Sequence, residues 1–266
     1  MKGFVQFILE RPVHAVFVAA FLAYFPLLSI ISASVLVLVL LQHKLNQGVL
    51  VFCLAHVPAA LMSIVQLNDY FPLLIFSSSF ILALLLKGSK SLSFTLSCAA
   101  LSAAIANGLI FYLGQLNIED ALQLFIPDTT QLNLDITSIQ LTMAALISVY
   151  ITLPVIIGRW WQAHLYAGTP FAKEFGHLRI SMRTTYLLLT IAMILVVLGR
   201  DMLAVAVASP YILAAIGLVH DIAKRKNLIN LWLIIFYFTL MTLNYALVVL
   251  IVTGVLDSLL NIRKRI

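Results

Sequence analysis

Apolar residues in this chain gather in long unbroken runs separated by short polar stretches, with no strict alternation and no heptad repeat. The runs cover roughly Val13–Leu41, Val49–Leu67, Tyr70–Leu86, Leu92–Leu113, Ile139–Ile157, Thr184–Leu198, Met202–Val219 and Ile229–Leu256. Most approach the roughly 20 residues that a helix needs to cross a bilayer core. Inside lipid every backbone donor and acceptor must be satisfied within its own segment, so runs of this kind predict helices. The expected fold is all-α: a polytopic transmembrane helical bundle of about eight spans, forming one integral membrane domain over residues 1–266. Two stretches are irregular. Val13–Leu41 is about 29 residues long and carries Pro26, which removes a donor and clashes with the preceding turn, so it is either one bent span or two half-length helices. Thr184–Val219 exceeds one span and divides at Gly199, Arg200 and Asp201.

Composition narrows the class. The chain is 63% apolar and 10% charged, with a mean hydropathy of +1.09, whereas a soluble domain is about half apolar and a quarter charged. A water-facing surface could not be assembled from this mixture, so lipid is the expected partner of most of the surface. Sixteen Lys and Arg against ten Asp and Glu give a formal charge of +6. The bases sit in short connections between runs, where the positive-inside bias and anionic headgroups account for them, and nucleic-acid binding is not expected. Cys53 and Cys98 both lie in apolar runs and imply no disulfide framework. The N-terminal run is too long for a signal-peptide core and reads as a retained span.

Counting charges on alternate sides gives a strong bias. One side collects Lys44, Lys87, Lys90, Arg159, Lys173, Arg179, Arg183, Lys224, Arg225 and Lys226, and is expected to be cytoplasmic. The other receives Arg200, the tail bases Arg263, Lys264 and Arg265, and most acids, including Asp69, Asp201 and Asp257. The basic tail contradicts the count: either a span is miscounted or the segment after Gly254 turns back along the membrane.

Two connections have character. Residues 115–138 hold four acids, no base and Pro127, and are expected to form the main extracytoplasmic loop. Residues 158–182 mix Arg159, Trp160, Trp161, Tyr166, Phe171 and Phe175 with bases, which suits the headgroup level and predicts a cytoplasmic, amphipathic interfacial segment. That segment is either a simple anchor or a docking surface for a cytoplasmic partner, with Arg159, Trp160 and Trp161 as its candidate contacts. Ala15, Ala19 and Ala23 form a small-residue stripe of the kind that lets a second backbone approach closely in lipid, as do Ala99/Ala103 and Ala204/Ala208. The first stripe packs either within the chain or against a separate membrane subunit.

Polar residues inside spans are costly unless paired or functional. His56 precedes Pro58 by two residues; Gln66, Asn68, Asp69 and Tyr70 crowd the far end of the same run; Arg200 and Asp201 mark a turn on the same side. His56, Gln66, Asn68, Asp69, Arg200 and Asp201 are therefore the candidate ligand residues, rimming an outward-facing pocket. Asn107 and Asn244 fit interhelical hydrogen bonds better than ligands. Cys53 and His56 share a helix face but lack further ligands, so no metal or cofactor is expected. No His-Glu-x-x-His, Gly-x-Ser-x-Gly or phosphate-loop motif is present, and Leu198-Gly199-Arg200-Asp201 lacks a second membrane aspartate. Catalysis is not expected.

Three blocks together carry a family resemblance: Phe25-Pro26-Leu27-Leu28-Ser29, then Gly158-Arg159-Trp160-Trp161-Gln162 with Phe175 to Arg179 downstream, and the closing Gly254 to Arg263. In these the chain resembles the YybS-like bacterial membrane proteins, a family without assigned function that is distantly similar to the S components of energy-coupling-factor transporters. The resemblance implies a multi-pass protein of the bacterial cytoplasmic (inner) membrane. It also implies a small-molecule substrate, a coupling membrane subunit and ATPases, with Ala15, Ala19 and Ala23 as the docking stripe. The function favoured by the sequence is thus a small-molecule transport component. The alternative is a scaffold or regulator that recruits cytoplasmic partners through residues 158–182.

Overall fold

The computed structural model describes residues 2–25, 28–65, 71–113, 136–165, 171–228, 230–242 and 245–264. Among these residues the chain is all-helical. The helices are α1 (Lys2–Glu10), α2 (Pro12–Ala23), α3 (Ser29–Gln42), α4 (Leu45–Val65), α5 (Phe71–Ser89), α6 (Leu92–Gly108), α7 (Ile136–Leu165) and α8 (Phe171–Gly176). They continue with α9 (Met182–Val197), α10 (Asp201–Ala208), α11 (Pro210–Arg225), α12 (Asn230–Thr242) and α13 (Ala246–Leu260). A π-turn at Leu109–Leu113 extends α6, and a 3-10 turn at Ile262–Lys264 follows α13. Three helical stretches are long and apolar enough to cross a membrane, Leu92–Phe111, Thr137–Leu165 and Asp201–Arg225, and a fourth if α1 and α2 count as one broken span.

Local chemistry sets the boundaries. Pro12 forces Arg11 into an extended conformation (φ −141°, ψ 139°), so α1 and α2 meet at a 116° bend instead of continuing. Ser91 and Ser181 cap α6 and α9 by accepting hydrogen bonds from the backbone N–H of Phe94 and Thr184. At the far end of α9, Gly199 takes φ +66° and Arg200 N–H donates to Leu195 O at 2.8 Å. This is the glycine-terminated helix end that a left-handed residue permits, and it places the break where Gly199-Arg200-Asp201 predicts it.

The long N-terminal run is two helices. Ser32 Oγ donates to Ala19 O at 2.5 Å, whereas residues thirteen apart on one straight helix would lie about 20 Å apart. The chain therefore folds back around residues 24–28, and α2 and α3 form an antiparallel hairpin. α3 is the centre of the bundle: from Ser32 to Leu40 every side chain is buried. It packs against α2, α4, α5 and α7. Gly158 of α7 sits so close that an added Cβ would lie 2.6 Å from Val37 Cγ1. Ser29 and Tyr150 hydroxyls meet at 3.3 Å one level further along the same parallel pair.

The last apolar run, expected as one span, is also divided. α12 and α13 are separate helices, one ending at Thr242 and the next beginning at Ala246, so of the two alternatives for the tail it is the span count that changes. α13 runs beside α11 in the same direction. Gly254 lies against the carbonyl of Tyr211, where an added Cβ would fall within 2.2 Å. Further along both helices, Arg263 reaches Ala214 O, and its own carbonyl is held by Arg225.

Helix directions follow from these contacts. α3, α5, α7, α11 and α13 all end at one face of the bundle, and α4, α6, α9 and α12 depart from it. That face carries the basic connections. α13 returns the tail to it, so Asp257, Arg263 and Lys264 belong with the basic side, and the assignment of Asp257 and the tail to the opposite side is corrected.

Candidate functional site

The most developed polar arrangement lies at the basic end. Five cationic side chains there satisfy helix-end carbonyls or neutralise buried acids. Lys87 at the end of α5 donates to Leu40 O (2.6 Å) and to His43 O, capping α3 from its neighbour. Arg159 near the end of α7 pairs with Glu174 of α8 at 2.8 Å and donates to Gln162 Oε1 at 2.7 Å. Arg179, between α8 and α9, donates through Nη2 to Ser258 O (2.8 Å), and its backbone N–H reaches Ser93 Oγ. Arg225 pairs with Asp221 at 2.9 Å and donates to Arg263 O.

Arg263 is the centre of the arrangement. The αL conformation of Asn261 (φ 52°) ends α13 and turns the chain back, and the guanidinium enters the bundle with only 6% of the residue exposed. Nε donates to Asp257 Oδ2 at 2.8 Å, Nη2 to Ala214 O at 2.9 Å, and Nη1 to Gly176 O. Asp257 is fully buried. A buried ion pair is stabilising only when the remaining polar groups are also satisfied; here one guanidinium ties α8, α11 and α13 together. Asp257 Oδ1, Ser258 Oγ and Arg179 Nε are buried at the same end without a hydrogen-bond partner among the described residues.

The residues singled out in the sequence fall in several places. Arg159 and Trp160 are in the last turns of α7, not in a loop, because that helix continues through Leu165; the segment expected at 158–182 is shorter than expected, and residues 166–170 lie outside the described residues. Trp160 is 39% exposed, whereas Trp161 is buried, with Phe4 packed edge-on at 6.0 Å. Ala15, Ala19 and Ala23 are buried beneath this chain's own α3 and α4. The stripe is occupied from within, so as a face for a separate subunit it is corrected to an internal packing surface.

The expected ligand pocket is not assembled among the described residues. His56 is half-buried on α4, with the Phe52 ring at 4.8 Å and its Nδ1 buried without a partner. Arg200 and Asp201 are exposed at the turn before α10. α4 packs on α2, α3 and α5, whereas α10 packs on α6, α7 and α9, so the two groups belong to different halves of the bundle. Gln66, Asn68, Asp69 and Asn244 lie outside the described residues. Asn107 takes the expected interhelical role: Nδ2 donates to Ser148 Oγ of α7 at 2.9 Å. Among the described residues no group of three or more His, Cys, Asp or Glu is placed to hold a metal ion. A groove of about 430 Å³ runs along the outer face of α9 between Tyr186 and Leu198, lined by that helix alone and almost wholly apolar.

The sequence places Arg179, Arg225, Arg263 and Asp257 by the charge count alone and does not single out Glu174. The signal for their convergence was present in two motif blocks, Phe175 to Arg179 and Gly254 to Arg263, which the structure joins through Gly176 O and Ser258 O. No protein-family model, curated protein or solved structure matches the chain.

Proposed function

We propose that the chain is a multi-pass protein of a bacterial cytoplasmic membrane, of YybS-like kind, that holds a cytoplasmic protein partner at its basic end. Among the described residues ten apolar helical segments run alternately toward and away from that end: α2 to α7, α9, α10 with α11, α12 and α13. Splitting the first and last of the eight expected spans makes ten, an even number. Both described ends of the chain then lie on the basic side, which removes the contradiction posed by the tail. The positive-inside bias makes this side cytoplasmic. α2 and α3 are about 18 and 21 Å long, shorter than the ~30 Å hydrocarbon core, and are read as entering the membrane as a pair.

One observation carries the partner reading. Arg159–Glu174, Arg179–Ser258 and Arg263–Gly176 pin the short α8 and its following linker to α7, α11 and α13. The described residues of this stretch, 158–165 and 171–182, are thereby held against the bundle with Trp160, Lys173 and His177 exposed, a surface that a soluble protein can recognise. The test is purification of the full chain in mild detergent from its own host, as wild type and as Trp160→Ala/Lys173→Glu. Loss of a stoichiometric soluble protein from the variant alone supports the reading. An unchanged set of retained proteins removes it.

A second reading, a small-molecule transport component with a coupling subunit and ATPases, draws support from the polar lining of the bundle interior. Ser29, Ser32, Ser79, Asn107, Ser148 and Thr152 are buried, and Ser79 Oγ and Asn107 Oδ1 have no partner among the described residues. A metabolite that co-purifies in stoichiometric amount, and is lost from Asn107→Leu, would favour it over the first.

A further inference from the structure

Arginines and lysines divide the work at the basic end. Three acids at this end, Glu174, Asp221 and Asp257, are each neutralised by an arginine: Arg159, Arg225 and Arg263. Lys44, Lys90, Lys224 and Lys264 are exposed at the turns and helix ends around them and enter no ion pair among the described residues. Those three acids are held by the arginines. This leaves Glu10 of α1, 3.9 Å from His14, as the one described acid at this end outside an arginine pair. The lysines outnumber it, and the rim carries a net positive charge.

At the same end lies α1, turned across the bundle by the 116° bend. Its nine residues present three faces, not two. Val5 and Ile8 are buried toward α2, α3 and α7. Lys2, Gln6 and Glu10 form a polar face. Between these, Phe4 and Phe7 are 41% and 45% exposed on a flank of their own, with one side of the Phe4 ring against Trp161. Phe7 is held there by stacking on His14 at 4.3 Å, while the His14 ring nitrogen bonds Phe7 O at 3.0 Å. A helix lying crosswise, with an apolar flank beside a polar one, is built for the boundary between acyl chains and headgroups.

We propose that the basic end is seated on anionic phospholipid: α1 inserts Phe4 and Phe7 at headgroup depth, and the rim lysines engage the lipid phosphates. Charge decides the occupant. A zwitterionic surface offers these lysines no net attraction, whereas an anionic leaflet attracts each by about 1 kcal/mol, about fivefold in binding. The seat fixes the height of Trp160, Lys173 and His177 above the membrane. It rests on the membrane reading above but not on any partner.

The experiment reconstitutes the full chain into nanodiscs of phosphatidylcholine alone or of phosphatidylcholine with phosphatidylglycerol. Amide hydrogen exchange across residues 2–10 and competitive lipid retention by native mass spectrometry are both read. The expected result is slower exchange in α1 with phosphatidylglycerol and preferential retention of that lipid. The preference should fall about fivefold for each lysine neutralised in Lys44→Gln, Lys90→Gln and Lys224→Gln. Phe4→Ser/Phe7→Ser should abolish the α1 protection while leaving exchange in α7 unchanged. Equal retention of the two lipids, or a preference that survives all three glutamines, overturns the seat and leaves the membrane reading standing. Failure of the chain to enter the discs, with α7 freely exchanging, overturns both.

Discussion

Replacing Arg263 with methionine keeps the apolar stem and removes the guanidinium. Asp257 then stays at zero exposure with neither oxygen paired, since Oδ1 has no partner and Oδ2 has lost the donor at 2.8 Å. Gly176 O and Ala214 O lose their donors as well. Removing one partner of a buried ion pair costs about 3–5 kcal/mol. At roughly 2–4 °C per kcal/mol for a chain near this size, the midpoint should fall by about 6–20 °C. Thermal unfolding of the full chain in mild detergent, followed by far-ultraviolet circular dichroism, reads the shift. The double variant Asp257→Leu/Arg263→Met removes both charges and should recover much of the loss, giving a large coupling in the double-mutant cycle. Lys264→Gln, at an exposed neighbour, should change nothing. If Arg263→Met unfolds within about a degree of wild type, or if the double variant is as damaged as the sum of the singles, the latch does not hold the end together.

Four further outcomes follow from the packing. Gly254→Ala places a methyl against Tyr211 O and should cost about 1–3 kcal/mol, whereas Gly88→Ala meets nothing within 4 Å and should be neutral or slightly stabilising in the same melt. Ala19→Leu should destabilise the purified chain in the absence of any partner, because that face is filled by α3; an unaltered midpoint would reopen the stripe as an external surface. On the topology proposed above the tail lies in the cytoplasm, so a green fluorescent protein fused after it should fluoresce in cells, and a dark fusion at normal expression would overturn that topology. Asn107→Leu should cost about 0.6 kcal/mol and no more than about 1.7, the range of interhelical hydrogen bonds in membranes.

Much of this architecture was legible because hydropathy and helix breakers are local signals. Pro26 marked the first run as either bent or divided, and it is divided; Gly199-Arg200 announced the α9–α10 turn; and the charge count gathered the bases at one end of the bundle, the tail excepted. The division of Ile229–Leu256 was not legible: residues 243–245 contain neither proline nor glycine, and length alone can be absorbed by tilt. That omission inverted the tail and sent Asp257 to the wrong side. Arg263 was unreadable for a different reason. A lone arginine after an apolar helix looks solvated, and only the αL turn at Asn261 and the glycine-permitted approach at Gly254 reveal that it points inward. The alanine stripe shows the converse, since its spacing specifies a close neighbour but says nothing about whether that neighbour is in the same chain.

The burial of α3 has a consequence for how the chain tolerates change. Its run Val35-Leu36-Val37-Leu38-Val39-Leu40 is as apolar as the outer faces of α9 and α12, yet it touches protein on all sides, whereas Met193, Val197, Ile234 and Phe238 are more than half exposed on the described surface. A saturation scan should therefore separate two kinds of hydrophobic position. Along α9 and α12 any greasy residue should serve and only charge should be rejected. Along α3 the filter should be volume, with leucine for valine at position 37 as harmful as serine, because Gly158 leaves no room behind it. Two segments that hydropathy cannot tell apart would then carry opposite substitution signatures, one set by solvent and the other by shape.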